Sequence, residues 1–492
     1  MKLMMKFHHR FVFLIGFMCV LSVILTTTTV LQYVLEQRRT VKDFMNANAQ
    51  FMRSSVSDTH VLRRVKDDES ENNQGKETNG AAVIPRNNTL VYVEAAKSVK
   101  TTLLDDSTEL FIRRKLADQR KEIREKGAQL DLYESSDGTK LPSWGTFHNK
   151  ISRYELYSEE SDYIDRLLYD MSHKTITDAE MKAGGTQLKV MITFSDEGQA
   201  LMKPMRFTRE KETLPDHFYF VDYERHNAEV AAFHLDRILG FRRVPPCAGR
   251  IFNISRDLEQ YAEYTFKKTF FRSPAKNHCF HGVCSYYCDT SHAFCGNPDT
   301  IEGSLCAYLP SKDVAQRKNW RNPWKRSYSK HKQAAWETDS SYCKQVQQTP
   351  PYNKGRRLLD LIDLAVFDYL TGNMDRHHYE TFLDFGNDTF LLHLDQGRAF
   401  GKSLHDETSI LAPLYQCCYI RASTWQKLKF LRNSPVKLSD LMQKSLTRDV
   451  INPVLLEPHL LALDRRIIKI LRMVKGCIRA HGEKTVVIDD GF

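Results

Sequence analysis

The sequence predicts an α+β protein. A strand-rich half is followed by a helical half, a cysteine-rich insertion separates them, and a membrane anchor and flexible stem stand in front. Three observations carry this. Apolar residues alternate with polar ones from Gln187 to Phe207 around a polar turn, the mark of a hairpin. Apolar residues recur at helical spacing from Arg357 to Leu370 and again from His459 to Ala480. Of the 11 cysteines, all but Cys19 lie beyond residue 246.

The N-terminus comes first. Lys2, Lys6 and Arg10 precede an uncharged apolar run from Phe11 to Leu35. At roughly 20 or more residues such a run spans a bilayer. A cleaved signal peptide has a core of only about 7–15 apolar residues, so the run reads as a signal anchor. Basic residues before it favour a cytosolic N-terminus and a luminal remainder. The expected layout is a cytosolic tail over 1–10, the anchor over 11–35 and a luminal stem over 36–140. Lys66 to Gly80 is charged and nearly free of large apolar residues, a composition that does not fold alone.

The globular part divides into a first lobe over 141–254, an insertion over 255–350 and a second lobe over 351–492. Gln187 to Phe194 reads as a strand, Ser195 to Gly198 as a turn and Gln199 to Phe207 as the returning strand. A helix is expected from Tyr223 to Leu239, with Glu224, Ala228, Ala231 and Leu235 on one face and Gly240 as its stop. After the insertion, Leu358, Leu361, Ile362, Ala365, Val366 and Tyr369 line one side of the next helix, which Gly372 ends. Tyr379 to Phe385 and Thr389 to Leu394 read as a second hairpin around Gly386, Asn387 and Asp388.

Ten cysteines would lie in the lumen: Cys247, Cys279, Cys284, Cys288, Cys295, Cys306, Cys343, Cys417, Cys418 and Cys477. An even count in an oxidising compartment reads as disulfides. The cluster Cys279, Cys284, Cys288 and Cys295 is also open to a zinc reading, although it lacks the tight pairs such sites favour. Asn87, Asn253 and Asn387 head glycosylation sequons. The formal net charge of +10 admits acidic partners without choosing among them. Its wide spread, and the luminal placement, argue against nucleic acid.

The order of polar groups points to chemistry. Lys203 lies on a hairpin strand, and Glu224 follows about 20 residues later in the expected helix. Asp375 then sits in a loop, and Asp395 follows a hairpin. A protein kinase presents this order: a lysine for phosphate oxygens, a helix glutamate, an aspartate that orients the attacking hydroxyl, and a metal-holding aspartate. Carboxylate oxygens suit Mn²⁺ or Mg²⁺. Singly, each feature also has an ordinary reading as a salt bridge, cap or turn. Ordinary kinase marks are missing: there is no GxGxxGxV loop, no HRD triplet, and Glu380 stands where a metal-binding Asn would.

The segments Gly372–Phe382 (GNMDRHHYETF), His393–Gly401 (HLDQGRAFG) and Glu224–Arg237 (ERHNAEVAAFHLDR) resemble the Golgi casein kinase group, the family with sequence similarity twenty. Lys203 to Met205 and Gly184 to Leu188 match it too, and the likeness runs over roughly 145–485. This resemblance implies an atypical two-lobed kinase fold using Mn²⁺ (or Mg²⁺) and ATP. It implies Gln187, Lys203 and Asp395 at the nucleotide, Glu224 and Asp395 at the metal, and Asp375 as the catalytic aspartate. It further implies disulfides Cys279–Cys295, Cys284–Cys288, Cys343–Cys417 and Cys418–Cys477. Cys247 and Cys306 depart from the vertebrate protein-kinase branch of the family and are expected to pair with each other.

The family has three branches: a kinase for Ser in Ser-x-Glu of secreted proteins, a proteoglycan xylose kinase, and a pseudokinase that activates the protein kinase. Glu224 favours an active enzyme, because the pseudokinase branch carries Gln there. The tail from Ala480 to Ile488 leans the other way, and Gln396 replaces the family's Asn. The expectation is a Golgi-anchored type II serine protein kinase acting on secreted acidic proteins. The xylose kinase and the pseudokinase are its alternatives. A homodimer, or a heterodimer with a pseudokinase paralogue, follows from the same likeness. Leu62 to Val65 is a candidate site for release by stem cleavage.

Overall fold

The computed structural model describes residues 129–134, 140–182 and 186–492. The expected anchor, nearly all of the stem, Asn87, the candidate cleavage site and Gly184–Gly185 lie outside the described residues.

A five-stranded antiparallel sheet organises the first lobe. Its strands are β1 (Ile176–Met181), β2 (Val190–Phe194), β3 (Gln199–Pro204), β4 (Cys247–Asn253) and β8 (Thr300–Ala307), in the order β1-β2-β3-β8-β4. The predicted hairpin is β2–β3, closed by Phe194 N–H donating to Gly198 O at 2.8 Å. Helix α1 (Ser143–Asn149) and helix α2 (Tyr163–His173) precede the sheet, and α2 covers β4. Helix α3 (His226–Leu239) packs on β4 and β8 and is buried along most of its length.

Two sequence expectations change here. The helix starts at His226, so Glu224 sits in the extended chain just before it rather than in its first turn. The span read as an insertion supplies β8 to the middle of the first lobe's sheet, between β3 and β4. The same span also forms a small sheet of β5 (Phe271–Arg272), β6 (His278–Phe280) and β7 (Phe294–Cys295). Disulfide Cys279–Cys295 joins β6 to β7, and Cys284–Cys288 closes the loop between them. A zinc reading has no free thiolates there. Cys247 and Cys306 are opposite residues on β4 and β8, and they are bonded to each other.

The second lobe is built on helix α4 (Arg357–Thr371), buried along its whole length. Burial on all sides takes in Asp360, Asp363 and Asp368, so each needs a partner. Asp360 is held by Arg356 at 2.7 Å, Arg421 at 2.8 Å and Arg243 at 3.1 Å. Burial opposes its charge, but the three guanidiniums outweigh it and keep the carboxyl well below the usual carboxylate range. Gly240 and Gly372 end α3 and α4 with φ of 83° and 75°, the left-handed turn that glycine takes without strain. Helix α5 (Ala412–Cys417), helix α6 (Leu438–Leu446) and helix α7 (Glu457–His481) belong to this lobe, as does the helix Ala422–Asn433. Cys343–Cys417 and Cys418–Cys477 tie α5 and the residue after it to the chain before α4 and to α7.

The second predicted hairpin is also revised. Strand β10 (His378–Phe382) pairs antiparallel with strand β9 (Arg317–Arg321), a basic segment. Residues 389–394 meet β10 only at the bridge between Glu380 and Leu392. Of the two described sequons, Asn387 is exposed, whereas Asn253 is half-buried and accepts from Arg256 N–H at 2.8 Å.

Candidate active site

Strand alternation puts Lys203 on the face of β3 opposite the buried Ala200 and Met202, where its side chain is 12 % exposed. Its Nζ meets three carboxylates: Glu229 Oε1 at 2.5 Å, Glu224 Oε2 at 2.6 Å and Asp395 Oδ1 at 3.0 Å. Burial alone would discharge the amine. The carboxylates, Asp395 foremost, outweigh burial and hold it well above its ordinary value. Reciprocally, Lys203 holds the Asp395 carboxyl well below the usual range.

Each carboxylate has its own anchor. Glu229 lies in the first turn of α3 and also accepts from Gln396 N–H at 3.1 and 3.2 Å, which joins the two lobes. Glu224 is fixed by Gln187, whose Oε1 accepts from Glu224 N–H at 2.9 Å while its Nε2 donates to Asp222 O at 3.0 Å. Gln187, expected at the nucleotide, thus spends its amide on positioning Glu224. Gly397 lies against the same side chain: a Cβ there would come within 2.8 Å of Glu224 Cβ and Cγ. Asp395 has φ of 60°, a strained region for a residue with a side chain. Asn373 Nδ2 donates to its carbonyl at 3.3 Å and helps hold that backbone.

The loop after α4 carries Asp375. Arg376 anchors it, with a two-pronged pair to Asp368 at 2.8 and 2.9 Å, a hydrogen bond to Gln396 Oε1 at 3.0 Å and one to Leu394 O. Gln396 itself is fully buried, and its amide also donates to His393 O at 3.1 Å. Its amide is thus held at both its oxygen and its nitrogen. Asp375 Oδ2 pairs with Arg398, and its Oδ1 lies 2.5 Å from His377 Nδ1. Burial, reinforced by His378 and Lys325, pushes His377 down to about 4, so a neutral imidazole faces the aspartate at pH 7.

These residues fit a divalent metal and a polyphosphate. The Asp395 side chain is 58 % exposed, and buried Glu224 Oε2 has its ionic contact with Lys203 but no hydrogen bond. Two hard oxygen donors with free lone pairs beside a lysine suit Mn²⁺ or Mg²⁺. A different set, Glu229 with Cys247 and Cys306, brings ligand atoms together, but its sulfurs are consumed in a disulfide.

The structure brings Lys203, Glu224 and Asp395 into contact, with Asp375 on the adjoining loop and Gln187 behind Glu224. Sequence reasoning missed Glu229, which lies within the Glu224–Arg237 segment but, five residues on from Glu224, off the helical face assigned to Glu224. Arg398 was missed as well, three residues beyond Asp395.

Comparison with known proteins follows the same lines. The family described as Golgi casein kinase, C-terminal, Fam20 matches residues 142–486. The chain is 58 % identical over 350 residues to the extracellular serine/threonine protein kinase FAM20C of Homo sapiens, covering 71 % of this chain and 60 % of the relative. Identity to the human pseudokinase FAM20A is 50 % over 365 residues, covering 70 % of this chain and 68 % of the relative. The solved structure of the Golgi casein kinase with Mn/ADP bound matches with a TM-score of 0.71 at 41 % identity, covering 79 % of this chain and 94 % of that one.

Proposed function

The chain belongs to the Fam20 Golgi casein kinase family, and from that premise we propose that it is a serine protein kinase of the secretory pathway. It transfers the ATP γ-phosphate to Ser in Ser-x-Glu segments of secreted proteins. The observation that carries this is the contact of one buried ammonium with Glu224, Glu229 and Asp395, next to a loop that presents Asp375.

In this reading Lys203 supplies positive charge to phosphate oxygens, and Glu229 keeps it in register with α3. Glu224 and Asp395 hold the metal, which when bound neutralises charge on the transferring phosphate. Asp375 orients the serine hydroxyl and takes its proton as the oxygen attacks phosphorus. Arg398 and the neutral His377 aim that carboxylate. Glu224 favours this branch over the pseudokinase, because a Gln amide cannot supply the metal with a negative oxygen.

The same family reading puts the enzyme in the Golgi membrane, anchored by residues 11–35, with release by cleavage near Arg63 and Arg64. It gives a pseudokinase paralogue as a partner and Asn253 and Asn387 as glycan sites.

The test is Mn²⁺-dependent transfer of labelled phosphate from ATP to a Ser-x-Glu peptide, with Asp395→Ala as control. Transfer that vanishes in the variant supports the reading. Folded, disulfide-bonded protein that transfers nothing to the peptide overturns it in favour of the xylose-kinase or pseudokinase branch.

A further inference from the structure

The basic segment around β9 divides into cations that are committed and cations that are not. Arg317 donates to Glu380 at 3.0 Å. Arg326 donates to Ser409 Oγ at 2.6 Å and lies 3.9 Å from Glu337. Lys318 lies over the Trp320 ring at 3.9 Å. Like Lys318, Arg321 and Lys325 have no carboxylate within ion-pair distance among the described residues; their place in the fold sets them apart.

These two are fixed beside the catalytic loop. Arg321 is the register partner of His378, three positions after Asp375. The next residue, Asn322, is bonded to the loop itself, with its N–H donating to His377 O at 2.8 Å and its Nδ2 to Arg376 O at 3.0 Å. Lys325 N–H donates back to Asn322 O at 3.2 Å, and its ammonium lies 4.8 Å from the Tyr328 ring. Tyr328 in turn stacks on His377 at 4.4 Å and 15°, so an exposed aromatic face continues from Asp375 toward the two cations.

The local field is positive and unbalanced. Burial and then the Arg321 charge lower Lys325, and after burial the same two cations lower His378. A guanidinium fork and a point ammonium side by side are the complement of a carboxylate. Two extended residues of peptide reach about 7 Å, and the strand pairing sets Arg321 opposite His378, three residues after Asp375.

We propose that Arg321 and Lys325 form the subsite that holds an acidic side chain of the acceptor, two residues beyond the serine to be phosphorylated. This rests on the protein-kinase reading above and names the part of the molecule that reads the acceptor.

The test uses the secreted, disulfide-bonded chain and peptides that differ only in Glu or Gln two positions after the serine. The parent protein prefers Glu by about 100-fold in kcat/KM, about tenfold for each cation, the size of one charge-assisted hydrogen bond. The double variant Arg321→Gln/Lys325→Gln narrows that preference to within about threefold, since both charge-assisted bonds are gone. Retained thermal stabilisation by Mn²⁺–ADP shows that it is folded. Lys325→Glu shifts preference toward a peptide with Lys at that position. A double variant that binds Mn²⁺–ADP and keeps the parent's Glu preference overturns the subsite alone. A parent protein that phosphorylates a xylosylated linker saccharide and no peptide overturns the kinase reading and the subsite together.

Discussion

Replacing Gly397 with alanine tests how tightly Glu224, the carboxylate proposed to hold the metal, is positioned. The new Cβ would stand 2.8 Å from Glu224 Cβ and Cγ and 2.9 Å from its Oε2. Carbon atoms rest about 3.5–4.0 Å apart, so a gap of about 1 Å has to open. Gly397 cannot easily retreat, because its carbonyl accepts from Arg225 N–H at 2.7 Å. Glu224 gives way instead, and its contact with Lys203 Nζ at 2.6 Å is lost. Misplacement of about 1 Å in a reacting constellation costs about 100-fold in rate. Overpacking of a buried site costs about 1–3 kcal/mol of stability. The assays are Mn²⁺-dependent kcat/KM on the peptide, the Mn²⁺ concentration for half-maximal rate, and urea unfolding. Gly397→Ala should lose about 100-fold in kcat/KM, through the displacement above, and require more Mn²⁺. A variant within about twofold of the parent would refute the idea that Gly397 sets the position of Glu224.

Two further predictions concern stability. Burial pushes His234, bonded to Ser445 Oγ at 2.6 Å, down to about 3, whereas the unfolded chain takes up this proton near 6.5. The neutral form is stabilised, so the contribution is full above about pH 6.5 and falls with acid, by about 1.4 kcal/mol per pH unit, until the folded group itself titrates. His234→Gln should flatten that loss in urea midpoints between pH 6.5 and 5.5, and a parallel fall in both proteins would contradict it. The Cys247–Cys306 bond spans a sequence separation of 59. Cys247→Ser/Cys306→Ser should cost about 2–4 kcal/mol through the freed unfolded chain. Peptide mapping under non-reducing conditions that finds either thiol free in the parent would remove the basis for this.

Local chemistry in the sequence accounts for much of this fold, and the misreadings have a common physical cause. The alternation in β2 and β3 and the glycines after α3 and α4 are local signals, and the structure follows them. Strand β9 has no apolar alternation: Arg317, Lys318, Asn319, Trp320 and Arg321 form a strand because β10 pairs with them. Strand β8 contains Glu302, Gly303 and Ser304 and lies among cysteines, so its burial between β3 and β4 is set by long-range pairing. At the site, Lys203 and Asp395 were legible from order along the chain. The division of labour between Glu224 and Glu229 was not, because it depends on the turn of chain at which α3 begins. Asp360 and Asp363 read as the polar face of a helix, and only the meeting of Arg243, Arg356 and Arg421 around them explains their burial.

The pairing of β9 with β10 also bears on how acceptor preference can diverge among relatives. One strand follows the loop that carries Asp375, and the other carries Arg321 and leads to Lys325. Their backbones share a register from His378↔Arg321 to Phe382↔Arg317. Outward side chains on β9 are therefore free to vary without moving Asp375. A single-residue insertion within β9 is different: it would reverse which side chains face out and shift the strand against the loop at once. Under the proposed function, point substitution at a fixed register is thus the accessible route to a new acceptor, while length changes in this strand put the Asp375 loop itself at risk.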